Sequence, residues 1–184
     1  MPINVEIKAR VKDPARTRLV LDLVAGPPVA CLIQYDTFFR VPRGRLKLRE
    51  FGDGSGELIY YERTDVAEPK ESRYWIAPIS AVAALRTTLM RALGVRGEVR
   101  KARRLHSLGR TRIHLDEVSG LGVFLEIEVV LAENQPAREG EETARELLRR
   151  LEIPRDCLIA DSYIDLLDQS DSTSAAARSG TSSS

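Results

Sequence analysis

The sequence predicts an α+β protein of about eight strands, mostly paired with antiparallel neighbours, and three substantial helices. Charged and apolar residues alternate with period two in run after run. Short Gly- and Ser-bearing turns join several of these runs, and the longer stretches with helical spacing carry start and stop residues. Side chains at i and i+2 of a strand share a face, so each run has one apolar and one ionic side.

The first strand covers residues 3–11, with Glu6, Lys8 and Arg10 alternating with Val5, Ile7 and Ala9. Asp13 suits an N-cap and Pro14 the first helical position, and Leu19, Val20, Leu23 and Val24 are predicted on one helix face before Gly26-Pro27-Pro28. A strand over 29–40 precedes a basic strand over 45–50, which carries Arg45, Lys47 and Arg49. Phe51–Gly56 reads as a hairpin turn into a strand over 57–63, and another strand falls at 72–77. Residues 79–93 are predicted helical, with Val82, Leu85, Leu89 and Leu93 periodic and Gly94 as the stop. Strands recur at 98–106, 110–117 and 123–132, the last two joined through Ser119–Gly122. A helix over 138–151 stops before Pro154, and 162–167 suits a short closing helix. From Gln169 the chain is Ser-rich without apolar anchors, so residues 169–184 are expected as a disordered tail to one domain over 1–168. Strands of this kind form either an open sheet with its ionic face in water or a closed barrel with an ionic lumen, and periodicity does not choose between them.

At 184 residues with 43% hydrophobic and 30% charged composition, the chain is long enough for one well-developed core. A net charge of +1 removes the bulk footprint of a nucleic-acid binder, so any anion site is local. No apolar stretch approaches a membrane span, and the N-terminus has no signal-peptide pattern. With Cys31 and Cys157 far apart and at no metal-binding spacing, a cytoplasmic protein with reduced thiols is expected, and no membrane or nucleic-acid partner. Gly52–Gly56 lacks the Lys-Ser/Thr ending of a nucleotide loop, and no Ser-His-Asp or Cys-His arrangement is readable. The ionic faces are sorted by sign: most runs are basic, whereas Glu126 and Glu128 pair two carboxylates. A basic surface with a small acidic cluster suits a polyphosphate carrying a divalent cation.

Val5-Glu6-Ile7-Lys8, Gln34-Tyr35-Asp36-Thr37-Phe38-Phe39, Leu46-Lys47-Leu48-Arg49, Phe124-Leu125-Glu126-Ile127-Glu128 and Ser162-Tyr163-Ile164-Asp165-Leu166-Leu167 occur in an order that resembles the CYTH family, which comprises class IV adenylyl cyclases, thiamine triphosphatases and related triphosphate tunnel metalloenzymes. The second and last segments look most like class IV adenylyl cyclases. The resemblance implies an eight-stranded antiparallel barrel with a charged tunnel and helices outside. Two departures stand out. The family's opening Glu-x-Glu-x-Lys has Asn4 in its first position, and Glu62 stands near a place where a basic residue is usual, leaving either Arg63 as its substitute or one phosphate contact fewer.

The resemblance implies Mg2+ or Mn2+ on Glu6, Glu126 and Glu128, since such hard cations take carboxylate, phosphate and water oxygens. It implies triphosphate contacts from Lys8, Lys47, Arg49, Lys101, Arg103 and Arg112. Lys8, Arg112 and Asp116 are the catalytic candidates, with orienting an arginine or binding a second metal as alternatives for Asp116. His114 reads as structural ahead of a proton relay, and His106 has no role. Arg10, Arg45 and Arg110 lie nearer strand ends. The expected activity is conversion of ATP to cyclic AMP and pyrophosphate. The alternatives are hydrolysis of inorganic or thiamine triphosphate, or a non-catalytic module that binds nucleotide or polyphosphate. A homodimer is left open.

Overall fold

Alternating strands joined by tight turns curl this chain into a barrel. The computed structural model describes residues 3–179. β1 (Ile3–Arg10), α1 (Pro14–Ala25), β2 (Ala30–Phe39), β3 (Arg45–Phe51), β4 (Gly56–Arg63) and β5 (Lys70–Ile79) are followed by α2 (Val82–Leu93) and β6 (Val95–Leu108). Then come β7 (Thr111–Val118), β8 (Gly122–Val130), α3 (Ala137–Arg150), a 3-10 turn at Arg155–Cys157, β9 (Leu158–Ile159) and α4 (Tyr163–Ser179).

The strands follow the order β5-β4-β3-β2-β6-β7-β8-β1, all antiparallel. β1 pairs back onto β5 through Asn4↔Ser72 and Glu6↔Lys70, closing an eight-stranded antiparallel barrel. Closure decides between the two arrangements that periodicity left open. The short β9 lies beside β1 at Lys8 and Ala9.

The apolar side of the strands faces outward and is covered by helices. Val5, Ile7, Ile113, Leu115, Leu125, Ile127 and Val129 pack beneath Ala144, Leu147 and Leu148 of α3, together with Leu21 of α1 and Leu151. The buried positions of α3 recur at 140, 144, 147 and 148, an amphipathic stripe. α2 sets Val82, Leu85, Leu89 and Leu93 against Phe39 and Leu48, the face expected from its periodicity. At one side of the barrel Tyr163 and Ile164 of α4 join Phe38, Val99, Val118 and Phe124.

Several expectations change. Asp13 does cap α1, its side chain accepting from the Arg16 amide at 3.0 Å, but Leu19 and Leu23 are 67% and 86% exposed. The buried stripe is Thr17 and Leu21, flanked by Val20, Val24 and Ala25, because the helix rolls to place Leu21 with Val11 of the barrel core. β5 and β6 run longer than expected, and the 3-10 turn and β9 carried no pattern long enough to detect. The short closing helix expected at 162–167 runs on as α4 to Ser179, through residues expected to be disordered. Its first turns are anchored on the barrel, and beyond the weaker helix formers at 170–174 residues 175–177 are alanine, the strongest helix former. Residues 180–184 of the expected tail lie outside the described residues.

The seat of α3 is tight at Gly140, where an added Cβ would lie 2.8 Å from Leu131 Cδ2 and 2.9 Å from Val5 Cγ2. Gly140→Ala gains about 1 kcal/mol of helix propensity but overpacks the seam at a cost of about 1–3 kcal/mol. A lower midpoint of urea unfolding is the expected outcome. A higher midpoint would mean that α3 does not sit this close to β1.

Candidate functional site

Because alternate residues of every strand point inward, the barrel encloses a cavity of about 310 Å³. Seven basic side chains line it (Lys8, Lys47, Arg49, Arg63, Lys101, Arg103 and Arg112), with the five carboxylates of Glu6, Asp36, Glu57, Glu126 and Glu128. The lining therefore carries an excess of positive charge inside a protein that is nearly neutral overall.

On one side a single carboxylate is shared by three cations. Asp36 accepts from Lys47 Nζ at 2.8 Å, from Arg49 Nε and Nη2 at 2.8 and 2.9 Å, and from Lys101 Nζ at 3.4 Å. Burial alone would raise the Asp36 pKa, yet Arg49, Lys101 and Lys47 together hold it well below the usual carboxylate range. The converse falls on the lysines. Burial, reinforced by Arg103 and Arg49 against the opposing pull of Asp36, brings the Lys101 ammonium down to about 7. Burial and Arg49 also lower Lys47.

The other side is set by the register of β1, β8 and β7, which aligns Glu6, Glu128 and Arg112 in one row and Lys8, Glu126 and His114 in the next. Arg112 Nη2 lies 2.8 Å from Glu128, Arg103 Nη2 3.0 Å from Glu126 and Lys8 Nζ 3.5 Å from Glu126. His114 Nδ1 sits 3.5 Å from Glu126 and 3.8 Å from Glu128. Burial opposes ionisation of Glu126, but Lys8, His114 and Arg103 outweigh it and keep its pKa well below normal. Glu6 is pushed up by burial and by Glu126, with Arg63 pulling the other way from 2.6 Å.

All six expected triphosphate contacts line this one cavity, as do Glu6, Glu126 and Glu128. The grouping within it differs from expectation. The donor atoms that converge are those of His114, Glu126 and Glu128, mutually within 4.8 Å, while Glu6 is taken up by Arg63. These three residues fit a divalent cation: two carboxylates and an imidazole whose buried Nδ1 has no hydrogen-bond partner. Lys8 and Arg112 face the cavity, whereas Asp116 lies behind its lining. It is fully buried behind Arg103, accepting from Arg103 Nε at 2.6 Å and from the Tyr163 hydroxyl at 2.9 Å, with its pKa lowered to about 2. Burial would raise that value, and Arg103 overrides it. Asp116 thus orients an arginine.

Asp36 and Tyr163 stand within motifs to which the sequence assigns no site role, although the alternation Gln34, Asp36, Phe38 marks one strand face. Parity also resolves the β4 departure: Tyr61 and Arg63 point inward, whereas Glu62 points out and accepts from the Tyr60 hydroxyl at 2.6 Å. Arg45 is engaged by Asp65 and Asp165, and Arg10 and Arg110 donate to backbone carbonyls. His106 lies outside the cavity, its Nδ1 2.9 Å from the Gly26 carbonyl oxygen.

Comparison with known proteins identifies a CYTH domain over residues 2–163. No curated protein matches the chain. Among solved structures, a Pyrococcus horikoshii protein shares 23% identity at a TM-score of 0.79, covering 89% of this chain and 98% of its own. A Vibrio parahaemolyticus protein named as a candidate adenylate cyclase shares 19% at 0.75, covering 90% of this chain and 98% of its own. A Hippeastrum candidate adenylyl cyclase, described as having a dominant triphosphatase activity, shares 14% at 0.67, covering 92% and 96%. At these identities the neighbours speak to the fold, and each has the architecture described above. The family match spans most of the chain and coincides with a closed barrel whose lumen is charged: this protein belongs to the CYTH family.

Proposed function

We propose that the protein is a divalent-metal-dependent enzyme acting on triphosphates, converting ATP to cyclic AMP and pyrophosphate. The observation that carries this reading is the ring of seven basic side chains around one cavity of the barrel with fewer carboxylates to balance them. The volume, about 310 Å³, is at the small end of ligand pockets, matched to a triphosphate chain with its organic substituent toward a mouth. The two segments most like class IV adenylyl cyclases meet here, Gln34, Asp36 and Phe38 from β2 and Ser162 and Tyr163 at the start of α4.

Lys8, Lys47, Arg49, Lys101, Arg103 and Arg112 bind the phosphate oxygens, and Arg63 adds a seventh cation. Asp36 and Asp116 hold several of them in place before substrate arrives, so charge developing on the leaving phosphate meets donors that need no reorganisation. A divalent ion on the glutamates would supply Lewis-acid polarisation of the phosphoryl oxygens. In the cyclising reaction the ribose 3′-oxygen forms a bond to the α-phosphorus as the α–β bridging bond breaks. Pyrophosphate leaves with that electron pair, and the hydroxyl proton passes to solvent.

A second reading, hydrolysis of the terminal phosphoryl group, rests on the same cations and is favoured by the aromatic lining. Three of its five rings already carry an ammonium over a face: Lys47 over Phe38 and Tyr61, and Lys8 and Lys101 over Tyr163. Phe51 and Tyr74 alone remain to stack a nucleobase. Incubating the protein with ATP and Mn2+ decides between the readings. Cyclic AMP with pyrophosphate is expected. Orthophosphate without cyclic AMP selects hydrolysis, and saturable binding without turnover leaves a non-catalytic module.

Triphosphate binding will take up protons through Lys101. Its pKa of about 7 in the free cavity rises toward the ordinary lysine value of about 10.4 once phosphate oxygens surround it. Affinity therefore falls as pH increases through that window. Calorimetry near about pH 8.5, above the terminal phosphate's own titration at about 6, in buffers of different ionisation enthalpy, should show proton uptake. Lys101→Arg should reduce it. Equal heats in all buffers would show that Lys101 is already charged.

A further inference from the structure

Among the described residues, five in the lining bury a polar atom without a hydrogen-bond partner, Asn4, Gln34, Arg63, Arg112 and His114, and of these His114 alone offers an imidazole nitrogen beside two glutamates. His114 is 4% exposed, and its Nδ1 makes no hydrogen bond. An imidazole nitrogen denied a partner costs free energy unless something else occupies its lone pair or its proton. The nearest groups are Glu126 Oε2 at 3.5 Å and Glu128 Oε1 at 3.8 Å, too long for hydrogen bonds. These separations fall between the spacings of adjacent octahedral donors, about 3 Å, and opposite ones, about 4.2 Å, at bonds of about 2.1 Å, so small side-chain adjustments bring the donors onto one shared ion. Arg112 engages the other oxygen of Glu128, Oε2, so Oε1 stays available, whereas Glu126 shares Oε2 with Arg103 at 3.0 Å and has Lys8 at 3.5 Å from Oε1.

In the β1 row Glu6 meets a fixed cation of the protein itself. Arg63, its side chain 2% exposed, places Nη1 2.6 Å from Glu6 Oε1. Its guanidinium supplies the positive charge that a second cation would otherwise bring to Glu6. Beside it stands the neutral Asn4, so β1 presents one carboxylate, already neutralised, rather than a free anionic pair.

We propose that the cavity holds one first-row transition-metal ion on His114, Glu126 and Glu128, in preference to Mg2+, with Arg63 taking the place of a second cation at Glu6. The proposal rests on the metal-dependent reading of this same cavity and names the metal class and its ligands. The selectivity follows from the donor set. Mg2+ wants oxygen ligands and near-ideal octahedral geometry, whereas an imidazole nitrogen raises affinity for transition ions relative to it.

The test is a Mn2+ titration of the metal-free full chain, followed by electron spin-echo envelope modulation of bound Mn2+. Saturation at one ion per chain is expected, with nitrogen hyperfine coupling that changes when histidine carries heavy nitrogen. His106, the chain's other histidine, lies outside the cavity, so the coupling reports His114 without any substitution. Mg2+ should displace Mn2+ only at about tenfold or greater excess, and His114→Ala should abolish the coupling and narrow that gap. Absent coupling, two equivalents of Mn2+ per chain, or Mg2+ competing on equal terms would overturn the proposal. The two readings fail separately. Nitrogen-coupled Mn2+ without triphosphate binding keeps the metal site and removes the proposed function, whereas triphosphate turnover without nitrogen coupling does the reverse.

Discussion

Repulsion among buried cations is the constraint on which the rest of this barrel depends. Two like charges about 4 Å apart cost about 4 kcal/mol at an effective dielectric of about 20, and seven basic side chains face one cavity. The chain meets this cost with carboxylates placed behind or between the cations. Asp36 is shared by Lys47, Arg49 and Lys101; Asp116 holds Arg103 from behind; Glu126 faces both Lys8 and Arg103; Glu6 answers Arg63. Compensation remains incomplete near Lys101, whose ammonium is brought down to about 7. An anionic ligand with several charges would complete it.

Those pairings exist because the strands keep their register. A slip by one residue would turn the cations outward and drive Val5, Ile7, Ile113 and Ile127 into the lumen. The helices prevent the slip from outside, since α3 on β1 and β8 buries the apolar face whose alternate residues are Glu6, Lys8, Glu126 and Glu128. External packing and internal electrostatics are two faces of the same strands.

The inward faces of β1, β3, β6 and β8 were legible because the period of two needs no knowledge of neighbours. The same parity separates Arg63 from Glu62. What the alternation does not encode is which strands pair and in what register, and the partnerships of Asp116 with Arg103 and of Glu6 with Arg63 are facts of pairing and reach. Asp116 shares strand parity with Arg112 and His114, so it looked as available to substrate as they are. In sequence, His114 beside carboxylates reads as structural; its orphaned nitrogen becomes visible only once β8 is laid beside β7. On α1, Leu19 and Leu23 form as good a stripe as Thr17 and Leu21, and the barrel surface beneath decides between them.

A double-mutant cycle on inorganic triphosphate affinity with Lys8→Met and Arg49→Met tests the closed cationic cavity most directly, because β1 and β3 are not neighbours in the barrel. One ligand held by both walls predicts a loss of about 1.5–3 kcal/mol for each substitution, as for a charge-assisted contact. It also predicts a coupling of about 0.5 kcal/mol or more between them. Losses of a few tenths that simply add are what exposed, independent charges would give, and they would contradict a single triphosphate bound across the lumen.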